Sequence, residues 1–363
     1  NEIFGSAVFY NANNDKVDDV LLCGRTGILT CLNGENGKVI WEFFTRDKRE
    51  AADSGWHNFF QPQILDDINK DGFEDILITN GGDKSKSYTD TIGRPAGKIM
   101  VLSGKNGNIL AQIETPDGQE TYMAPIAHDF NNDGKLQVVF GSGGETMSGA
   151  LWLIELEDLL KEKSTLAQKL VFTGKKGFIP PPAIADLDDD GFDDLIVSAY
   201  NAKTMAFSGR DFSVLWQVEP LGFETQCTPA IGNFTGSHHP DILTVIFKGN
   251  APNFKDDMQV LIDGATGKVV WTDSISDLQF ASPSAFDYDN DGFDEAMFSF
   301  NNLSGSEFSH DLSIYDFQSN KQTKLVSGEK GINLSSTPLI ADLDSNGRVD
   351  IVYAIRKSVT NPI

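Results

Sequence analysis

Acidic side chains recur along the chain in a nine-residue pattern that could hold a hard cation. Residues 186–194 have the sequence Asp-Leu-Asp-Asp-Asp-Gly-Phe-Asp-Asp, with carboxylates at positions one, three, five and nine and glycine at position six. Ca²⁺ binds roughly six to eight oxygen atoms and tolerates irregular geometry. Glycine at position six permits the positive φ of a sharp turn, which would bring the four side chains together. Because clustered carboxylates repel one another without a cation, the pattern predicts a calcium site.

Three further loops, beginning at residues 67, 287 and 342, carry the same pattern, and the loop beginning at 129 departs from it only at position nine, which is Gln137. The backbone carbonyl at position seven would add one more oxygen in each loop. We therefore predict about four or five Ca²⁺ sites. The side chains predicted to bind Ca²⁺ are Asp67, Asn69, Asp71, Asp75, Asp129, Asn131, Asp133, Asp186, Asp188, Asp190, Asp194, Asp287, Asp289, Asp291, Glu295, Asp342, Asp344, Asn346 and Asp350.

Two related loops have lost part of the pattern. The loop beginning at residue 11 has the neutral donors Asn11 and Asn13, and Lys16 replaces the glycine, so its cation binding stays an open question. In the loop beginning at 233, Thr235 and Ser237 replace carboxylates, and an ordinary polar turn is expected there. A tight Asp/Asn/Gly bend without metal is the alternative for any single loop. Four intact copies at similar spacing favour the metal.

The charge of the chain is concentrated in these loops. The 363 residues include 53 acidic and 29 basic side chains, which gives a net charge of −24. The seven loops hold 24 of the acidic residues and only four of the basic ones, whereas a generic acidic surface would spread its charge. A strongly acidic protein repels phosphate backbones, which argues against nucleic acid as a partner. No run of about 18 uncharged apolar residues occurs, so no membrane span is expected.

Short strands are predicted to position the loops. In most loops a short apolar segment rich in β-branched residues begins at position ten, such as residues 76–78 and 195–197. Such a segment is typical of a buried strand. Further along, hairpin signatures with Asn-Gly or Thr-Gly at the turn follow, such as 102–110 and 262–271. Each repeat is therefore predicted to contain four antiparallel strands. Leucines at helical spacing predict one short helix inserted near 154–163. The repeat loops begin at residues 11, 67, 129, 186, 233, 287 and 342.

The repeats resemble a known family. Phe4-Gly5-Ser-Ala-Val8, followed by residues 11–19, resembles the FG-GAP repeat of integrin α-subunit propellers and of bacterial VCBS-type propellers. The intact acidic loops match that family's calcium sites position for position. This resemblance implies an all-β, seven-bladed β-propeller of four-stranded antiparallel blades, spanning residues 1–363 as one domain, with metals in the first hairpin of each blade. The hairpins that end at tryptophan resemble the docking hairpins of quinoprotein-type propellers, and these residues are Trp41, Trp216 and Trp271.

The seventh repeat ends at Ile363 after roughly two strands of a four-stranded unit. We therefore expect the last blade to be incomplete and to be closed either by residues of a longer protein, of which the chain would be a fragment, or by the N-terminus.

The connections at the opposite end of each predicted unit are long and irregular. Long loops on a rigid scaffold are where binding usually resides, and aromatic residues and arginine are typical anchors. The alternative is that the same side chains pack the loops onto the sheets. The residues predicted to bind a ligand are Trp56, His57, Tyr88, Arg94 and Tyr122.

Two functions are compatible with this sequence. The first is a calcium-stabilised module that binds a protein or a carbohydrate partner in an extracellular, cell-surface or periplasmic setting, where Ca²⁺ is abundant. The second is a calcium-dependent polysaccharide lyase, in which His57 or Tyr122, with Arg94 nearby, would abstract a sugar proton. The chain lacks the serine-hydrolase elbow, the His-Glu-x-x-His zinc motif and the phosphate-binding glycine loop. The binding module is therefore the preferred interpretation.

The three cysteines are expected to be small buried thiols. A tight turn at Arg25-Thr26 would pair Cys23 with Ile28 and place Cys31 opposite Val20, which argues against a disulfide between the two cysteines. Cys227 has no cysteine near it in the sequence.

Overall fold

Antiparallel sheets built from consecutive strands make up almost all of the regular secondary structure in the described residues. The chain divides into two compact units, Asn1–Pro181 and Pro182–Ile363. The predicted all-β class is confirmed. The computed structural model describes residues 6–25, 27–43, 58–83, 87, 90–251, 253–275, 277–304 and 307–357.

The first unit contains sheets one to three in its described residues. Sheet one comprises β1 (Val8–Tyr10), β2 (Asp19–Gly24), β3 (Ile28–Leu32) and β4 (Val39–Glu42). Sheet two comprises β5 (Asn58–Phe59), β6 (Gln63–Leu65), β7 (Asp75–Gly81), β8 (Lys98–Ser103) and β9 (Ile109–Glu114). Sheet three comprises β10 (Ile126–His128), β11 (Gln137–Gly141), β12 (Gly149–Glu155) and β13 (Gln168–Thr173).

The second unit contains sheets four to seven in its described residues. Sheet four comprises β14 (Ala183–Ala185), β15 (Asp194–Ser198), β16 (Thr204–Phe207) and β17 (Val214–Val218). Sheet five comprises β18 (Phe223–Glu224), β19 (Ala230–Gly232), β20 (Asp241–Asn250), β21 (Asn253–Asp263) and β22 (Val269–Asp273). Sheet six comprises β23 (Ser284–Phe286), β24 (Glu295–Ser304), β25 (Glu307–Asp316) and β26 (Lys321–Lys330). Sheet seven comprises β27 (Leu339–Ala341) and β28 (Asp350–Val352).

The strands that follow the acidic loops at 67, 129 and 186 are completely buried. Every residue of β7, β11 and β15 is buried, which agrees with their uninterrupted apolar sequences. The outermost strand β9 instead alternates between buried and more exposed residues, as expected for a strand with one face near water. Neighbouring sheets share their cores: Leu77 of sheet two and Phe140 of sheet three lie in one cluster. The acidic loops therefore rest on a rigid, buried strand.

Two of the predicted tryptophan hairpins dock one sheet onto the next. Trp41 Nε1 donates a hydrogen bond of 2.8 Å to the Gly104 carbonyl. In the second unit Trp216 Nε1 donates one of 2.6 Å to the Gly264 carbonyl. The ring of Trp216 lies against Gly267, where an added Cβ would come within 2.6 Å of it. Each acceptor belongs to the hairpin turn of the following sheet, so these tryptophans join adjacent sheets.

The inserted helix is shorter than predicted. Helix α1 spans Leu156–Leu159, and a 3₁₀ turn follows at Ser164–Leu166. Leu156 and Leu159 are buried against the core of sheets two and three. The helix lies in the connection between strands β12 and β13 and packs against β9 and β12, with its leucines buried as their spacing indicated.

The predicted register at the first two cysteines is wrong by one residue. Cys23 pairs with Leu29, and Cys31 pairs with Leu21. The turn between β2 and β3 is one residue longer than the predicted two-residue turn, which shifts every pair along the hairpin. Among the described residues all three cysteines are buried and free of disulfides. Burial raises the pKa of Cys23 to about 12 and that of Cys31 to about 11.

Candidate metal centres

Each acidic loop is closed by the side chain at position nine. Asp194 Oδ2 accepts a hydrogen bond of 2.9 Å from the Leu187 N–H, at position two of the same loop. Its Oδ1 accepts one of 2.9 Å from the Gly209 N–H, in the hairpin turn between β16 and β17. The buried carboxylate thus ties the acidic loop to the adjacent turn at the same end of the sheet.

The position-nine contact recurs in all seven loops. The acceptor is a carboxylate in six loops and the Gln137 amide oxygen in the loop at 129. The hydrogen bonds are Ala12 N–H to Asp19 at 2.9 Å, Ile68 N–H to Asp75 at 2.9 Å, Phe130 N–H to Gln137 at 3.0 Å, Leu187 N–H to Asp194 at 2.9 Å, Tyr288 N–H to Glu295 at 2.6 Å and Leu343 N–H to Asp350 at 3.0 Å, with Thr235 N–H to Asp241 at 2.8 Å from position three.

The carboxylate at position one forms the turn. In the loop at 287, the Asp287 oxygens accept hydrogen bonds from the N–H groups of Asp291, at 3.1 Å, and Gly292, at 3.0 Å. Gly292 has φ of 92°, as the glycine at position six was predicted to have. Position four also lies in the left-handed region, with φ of 58° at Asp189 and 62° at Asn290. This left-handed conformation at position four was not predicted from the sequence, although asparagine and aspartate adopt positive φ more readily than most other residues.

Three loops bring carboxylates together closely enough to share one cation. Each cluster contributes one oxygen per residue, and these oxygens lie within 4.8 Å of one another. Asp186 Oδ1 is buried and has no hydrogen-bond partner among the described residues. A hard cation is the partner that an uncompensated carboxylate oxygen in such a cluster fits best. The clusters are Asp186, Asp188 and Asp194; Asp287, Asp289 and Asp291; and Asp342, Asp344 and Asp350.

The remaining predicted ligands have other contacts. Glu295 Oε2 accepts the Tyr288 N–H, and Asp190 lies 3.2 Å from the guanidinium of Arg210. In the loops at 67 and 129 position three is an asparagine whose Nδ2 faces the carboxylate at position five, at 3.3 Å for Asn69 and 3.2 Å for Asn131. Neither loop forms a three-carboxylate cluster in the described structure. The carboxylates at the pattern positions are Asp67, Asp71 and Asp75 in one loop and Asp129 and Asp133 in the other.

Burial shifts the titration of the position-nine acids. It raises the pKa of Asp194 to about 6, and the negative charges of Asp188 and Asp190 raise the pKa of Asp194 further. Burial also raises the pKa of Asp75 and of Glu295 above their usual values. A bound divalent cation would favour the ionised carboxylates and oppose these shifts.

The loops at 11 and 233, like those at 67 and 129, lack a three-carboxylate cluster in the described structure. In the loop at 11, the Asn13 amide lies 3.3 Å from Asp19 Oδ1. In the loop at 233, Thr235 Oγ1 donates a hydrogen bond of 2.8 Å to Asp241, and Ser237 Oγ donates one of 2.6 Å to the His239 carbonyl. The hydroxyl groups of Thr235 and Ser237, which replace carboxylates in this loop, are therefore used in hydrogen bonds within the loop.

The predicted ligand-binding residues are only partly described. Trp56, His57 and Tyr88 lie outside the described residues. Arg94 and Tyr122 come together around a buried carboxylate: Arg94 Nη1 lies 2.9 and 3.0 Å from the two oxygens of Glu120, and the Tyr122 hydroxyl donates a hydrogen bond of 2.5 Å to the same group. The side chains of Arg94 and Glu120 are 4% and 3% exposed.

The other donors of Arg94 are also engaged. Its Nε donates to the Asp90 carbonyl at 2.6 Å, and its Nη2 donates to the Ser87 carbonyl at 2.5 Å. Burial raises the pKa of Tyr122, and the adjacent Glu120 carboxylate raises it further. Arg94 therefore fastens the connection between β7 and β8 onto the sheet, which favours the packing interpretation of these two residues.

Comparison with known proteins identifies the fold. A family model described as the FAM234A/B beta-propeller matches residues 8–286, and no curated protein matches the chain. The prediction of a β-propeller is confirmed, whereas the matching family is FAM234A/B and not the FG-GAP or VCBS repeat itself.

Several solved structures are similar to the chain. BamB from Moraxella catarrhalis has a TM-score of 0.51 and 11% identity, over 92% of this chain and 79% of that one. A europium-containing methanol dehydrogenase has a TM-score of 0.54 and 11% identity, over 93% and 70%. The rhamnogalacturonan lyase YesW has a TM-score of 0.51 and 15% identity, over 97% and 70%. At such low identities the likeness concerns the fold alone. Within the described residues, no helix is long and apolar enough to cross a membrane.

Proposed function

Because the chain belongs to the FAM234A/B β-propeller family, we propose that it is a calcium-stabilised propeller that binds a protein or carbohydrate partner outside the cytoplasm. The observation that carries the calcium part is the convergence of three carboxylates in each of the loops at 186, 287 and 342. Three like charges within 4.8 Å are costly unless a cation neutralises them. The extracytoplasmic setting follows from the Ca²⁺ concentrations that loops of this kind require.

The donor set fits Ca²⁺ better than other biological cations. The clusters contain only carboxylate oxygens, which are the ligands that hard cations prefer. In the loop at 186, Asp186, Asp188 and Asp194 would hold the ion. Bound Ca²⁺ neutralises the clustered charge and joins both ends of the loop. The loops at 67 and 129 bring the number of proposed sites to about five. In these two loops the amide oxygens of Asn69 and Asn131 would be uncharged ligands.

The engagement of Arg94 and Tyr122 supports a binding function over catalysis. A base that abstracts a sugar proton must reach the substrate, whereas the Tyr122 hydroxyl is hydrogen-bonded to a buried Glu120. The partner would contact the connections at the ends of the sheets opposite the acidic loops, where long loops with aromatic residues are concentrated.

Thermal unfolding tests the calcium part. We expect chelation with EGTA to lower the melting temperature, because each occupied site contributes about 2.7 kcal/mol at a hundredfold excess of Ca²⁺ over Kd. Asp188→Asn and Asp289→Asn should each abolish part of the calcium-dependent increase. Ser237→Ala, in the loop that lacks the carboxylates, is the matched control and should keep the full increase. A melting temperature that does not change on chelation would overturn the proposal.

A screen for partners tests the binding part. Immobilised glycans and extracellular protein domains are probed with the chain in Ca²⁺ and in EGTA. Retention of the chain that depends on Ca²⁺ supports the proposed binding function. The lyase alternative is tested in parallel on acidic polysaccharides, with His57→Ala and Tyr122→Phe as variants. Cleavage that both variants abolish would replace the binding function by the enzymatic one.

A further inference from the structure

The loop at 233 carries two adjacent histidines that face the preceding acidic loop. His238 Nε2 lies 3.3 Å from Asp189 Oδ2, and His239 Nδ1 lies 3.5 Å from the same oxygen. Asp189 is at position four of its loop and is not part of the Asp186, Asp188 and Asp194 cluster. One carboxylate oxygen of sheet four is thus shared by two imidazoles of sheet five.

The rest of the loop holds these histidines against their neighbour. The Asn233 N–H donates a hydrogen bond of 2.8 Å to Asp294 of the following acidic loop, and its side-chain amide donates one of 3.0 Å to the Gly292 carbonyl. Ser237 Oγ holds the His239 carbonyl from within the loop. The loop at 233 therefore lies between two acidic loops, fastened to one and presenting its imidazoles to the other.

We propose that His238, His239 and Asp189 form a site for Zn²⁺ or a similar first-row transition metal ion, distinct from the proposed calcium sites. Two imidazole nitrogens and one carboxylate oxygen are a common ligand set for Zn²⁺, with water as a fourth ligand. Ligands at about 2.1 Å from a tetrahedral Zn²⁺ are separated from each other by about 3.4 Å. The two nitrogen–oxygen distances of 3.3 and 3.5 Å match two edges of such a tetrahedron.

A second observation points to a missing ligand at the same position. His239 Nδ1 is buried and has no hydrogen-bond partner among the described residues. It lies 3.5 Å from Asp189 Oδ2, which is an ion-pair distance, but the two groups do not form a hydrogen bond. An open cleft of 450 Å³, lined by both histidines together with Asn233 and Ser237, adjoins the group. A metal ion would satisfy this nitrogen directly.

The three groups do not all lie within 4.8 Å of one another in the described structure, so the proposed site requires the His238 side chain to rotate toward His239. The two imidazole rings are stacked with their centroids 5.4 Å apart. The His238 side chain is 85% exposed, so its ring can turn without displacing packed groups. The nitrogen ligands make the site selective, since imidazole suits Zn²⁺ whereas Ca²⁺ prefers oxygen.

Calorimetric titration of Zn²⁺ into the full chain tests the site. The chain carries no histidine tag and is kept saturated with Ca²⁺, so that the acidic loops are filled. We expect one Zn²⁺ per chain to bind, and we expect His239→Ala and Asp189→Asn each to weaken binding at least about tenfold, because each removes one of three protein ligands. His128→Gln, which removes a histidine from another sheet, is the control and should bind Zn²⁺ as the unmodified chain does.

Three results would overturn the site. They are the absence of Zn²⁺ binding to the unmodified chain, unchanged affinity in both His239→Ala and His238→Gln, and equal loss in His128→Gln. Circular dichroism of each variant in Ca²⁺ separates loss of the site from loss of the fold. Calcium-dependent stability, measured in the same variants, reports separately on the proposed function, so the two proposals can fail independently.

Discussion

At the residue scale, the four acidic positions of a loop have different roles. The acid at position nine is hydrogen-bonded to a backbone N–H group near the start of its loop, and in the loops at 186 and 342 it also belongs to the carboxylate cluster with positions one and three. The loop at 233 separates these roles within one chain: Asp241 keeps its hydrogen bonds to Thr235 although the other carboxylates are gone. Position nine is therefore retained for folding the loop even where no cation is expected.

Removal of this acid should destabilise the protein without involving calcium. We predict that Asp241→Ala lowers the free energy of unfolding by about 1–3 kcal/mol, because it removes the buried acceptor of two hydrogen bonds, from the Thr235 N–H and from the Thr235 hydroxyl. Urea unfolding in EGTA measures the effect, and Ca²⁺ should not change the difference from the unmodified protein. A difference that appears only in Ca²⁺ would assign Asp241 to a metal site instead.

A second residue-scale prediction concerns Asp311 of β25, which is 3% exposed. Its oxygens accept hydrogen bonds from Lys324 Nζ at 2.8 Å and from the Gly328 N–H at 2.7 Å. Burial raises the pKa of Asp311, but the Lys324 and Gly328 hydrogen bonds outweigh burial and lower it overall. The folded state therefore binds a proton less readily than the unfolded state does.

The lowered pKa makes the contribution of Asp311 to stability depend on pH. The stability that ionised Asp311 contributes is present above about pH 4, near the unfolded pKa, and is lost as the pH falls through the lowered folded pKa. We predict that Asp311→Asn is less stable than the unmodified protein at neutral pH and that this difference shrinks below about pH 4. Urea unfolding across that range measures it. The exposed Glu307→Gln is the control, and a difference independent of pH would contradict the assignment.

At the element scale, hairpin turns and tryptophans connect neighbouring sheets. Trp216 makes one hydrogen bond, to Gly264, and one ring contact, with Gly267. The backbone at Gly267 has φ of 70°, so this turn needs glycine both for its conformation and for the space that the ring occupies. The tryptophan hairpins were predicted from the sequence, whereas the hydrogen-bond acceptor of each tryptophan, a carbonyl on the following sheet, is seen only in the structure.

Two substitutions separate the ring contact from the hydrogen bond. Trp216→Phe should lower the free energy of unfolding by about 1 kcal/mol or more, since it removes the bond to the buried Gly264 carbonyl. Gly267→Ala should cost more, because backbone strain alone amounts to about 1–3 kcal/mol and the new Cβ would meet the ring. Chemical denaturation gives both values. Gly174→Ala, where nothing lies near the added Cβ, is the control, and an equal effect there would refute the docking role.

At the scale of the whole molecule, charge and architecture are linked. The net charge of −24 is concentrated in seven loops, and the loops occur once per sheet. The carboxylates of one loop lie close together, so a cation bound among them reduces their mutual repulsion more than dilute salt does. Without Ca²⁺, however, salt is the only available screen.

This predicts an interaction between salt and calcium. In EGTA, raising NaCl from about 0.02 to about 0.2 M should increase the melting temperature, because the shorter Debye length screens the loop carboxylates. In saturating Ca²⁺ the same change of salt should have a much smaller effect. Scanning calorimetry under the four conditions provides the comparison. Equal salt sensitivity with and without Ca²⁺ would show that the loops do not bind it.

The repeat, the all-β class, the four-stranded units and the turn-forming glycines could all be predicted from the amino-acid sequence, because they depend on local spacing and backbone preference. The short helix and the ordinary turn at 233 were likewise predictable from leucine spacing and lost carboxylates. The one-residue error at Cys23 arose because turn length is set by the whole hairpin.

Only the tertiary structure decided which residues from distant segments meet. The burial of Arg94 against Glu120, the acceptors of the two tryptophans and the approach of His238 and His239 to Asp189 all join different loops or sheets. Such contacts depend on how the sheets pack side by side, which no local pattern encodes. The structure also showed that the acid at position nine accepts a backbone N–H hydrogen bond in six of the seven loops, a role that depends on hydrogen-bond partners and not on residue type.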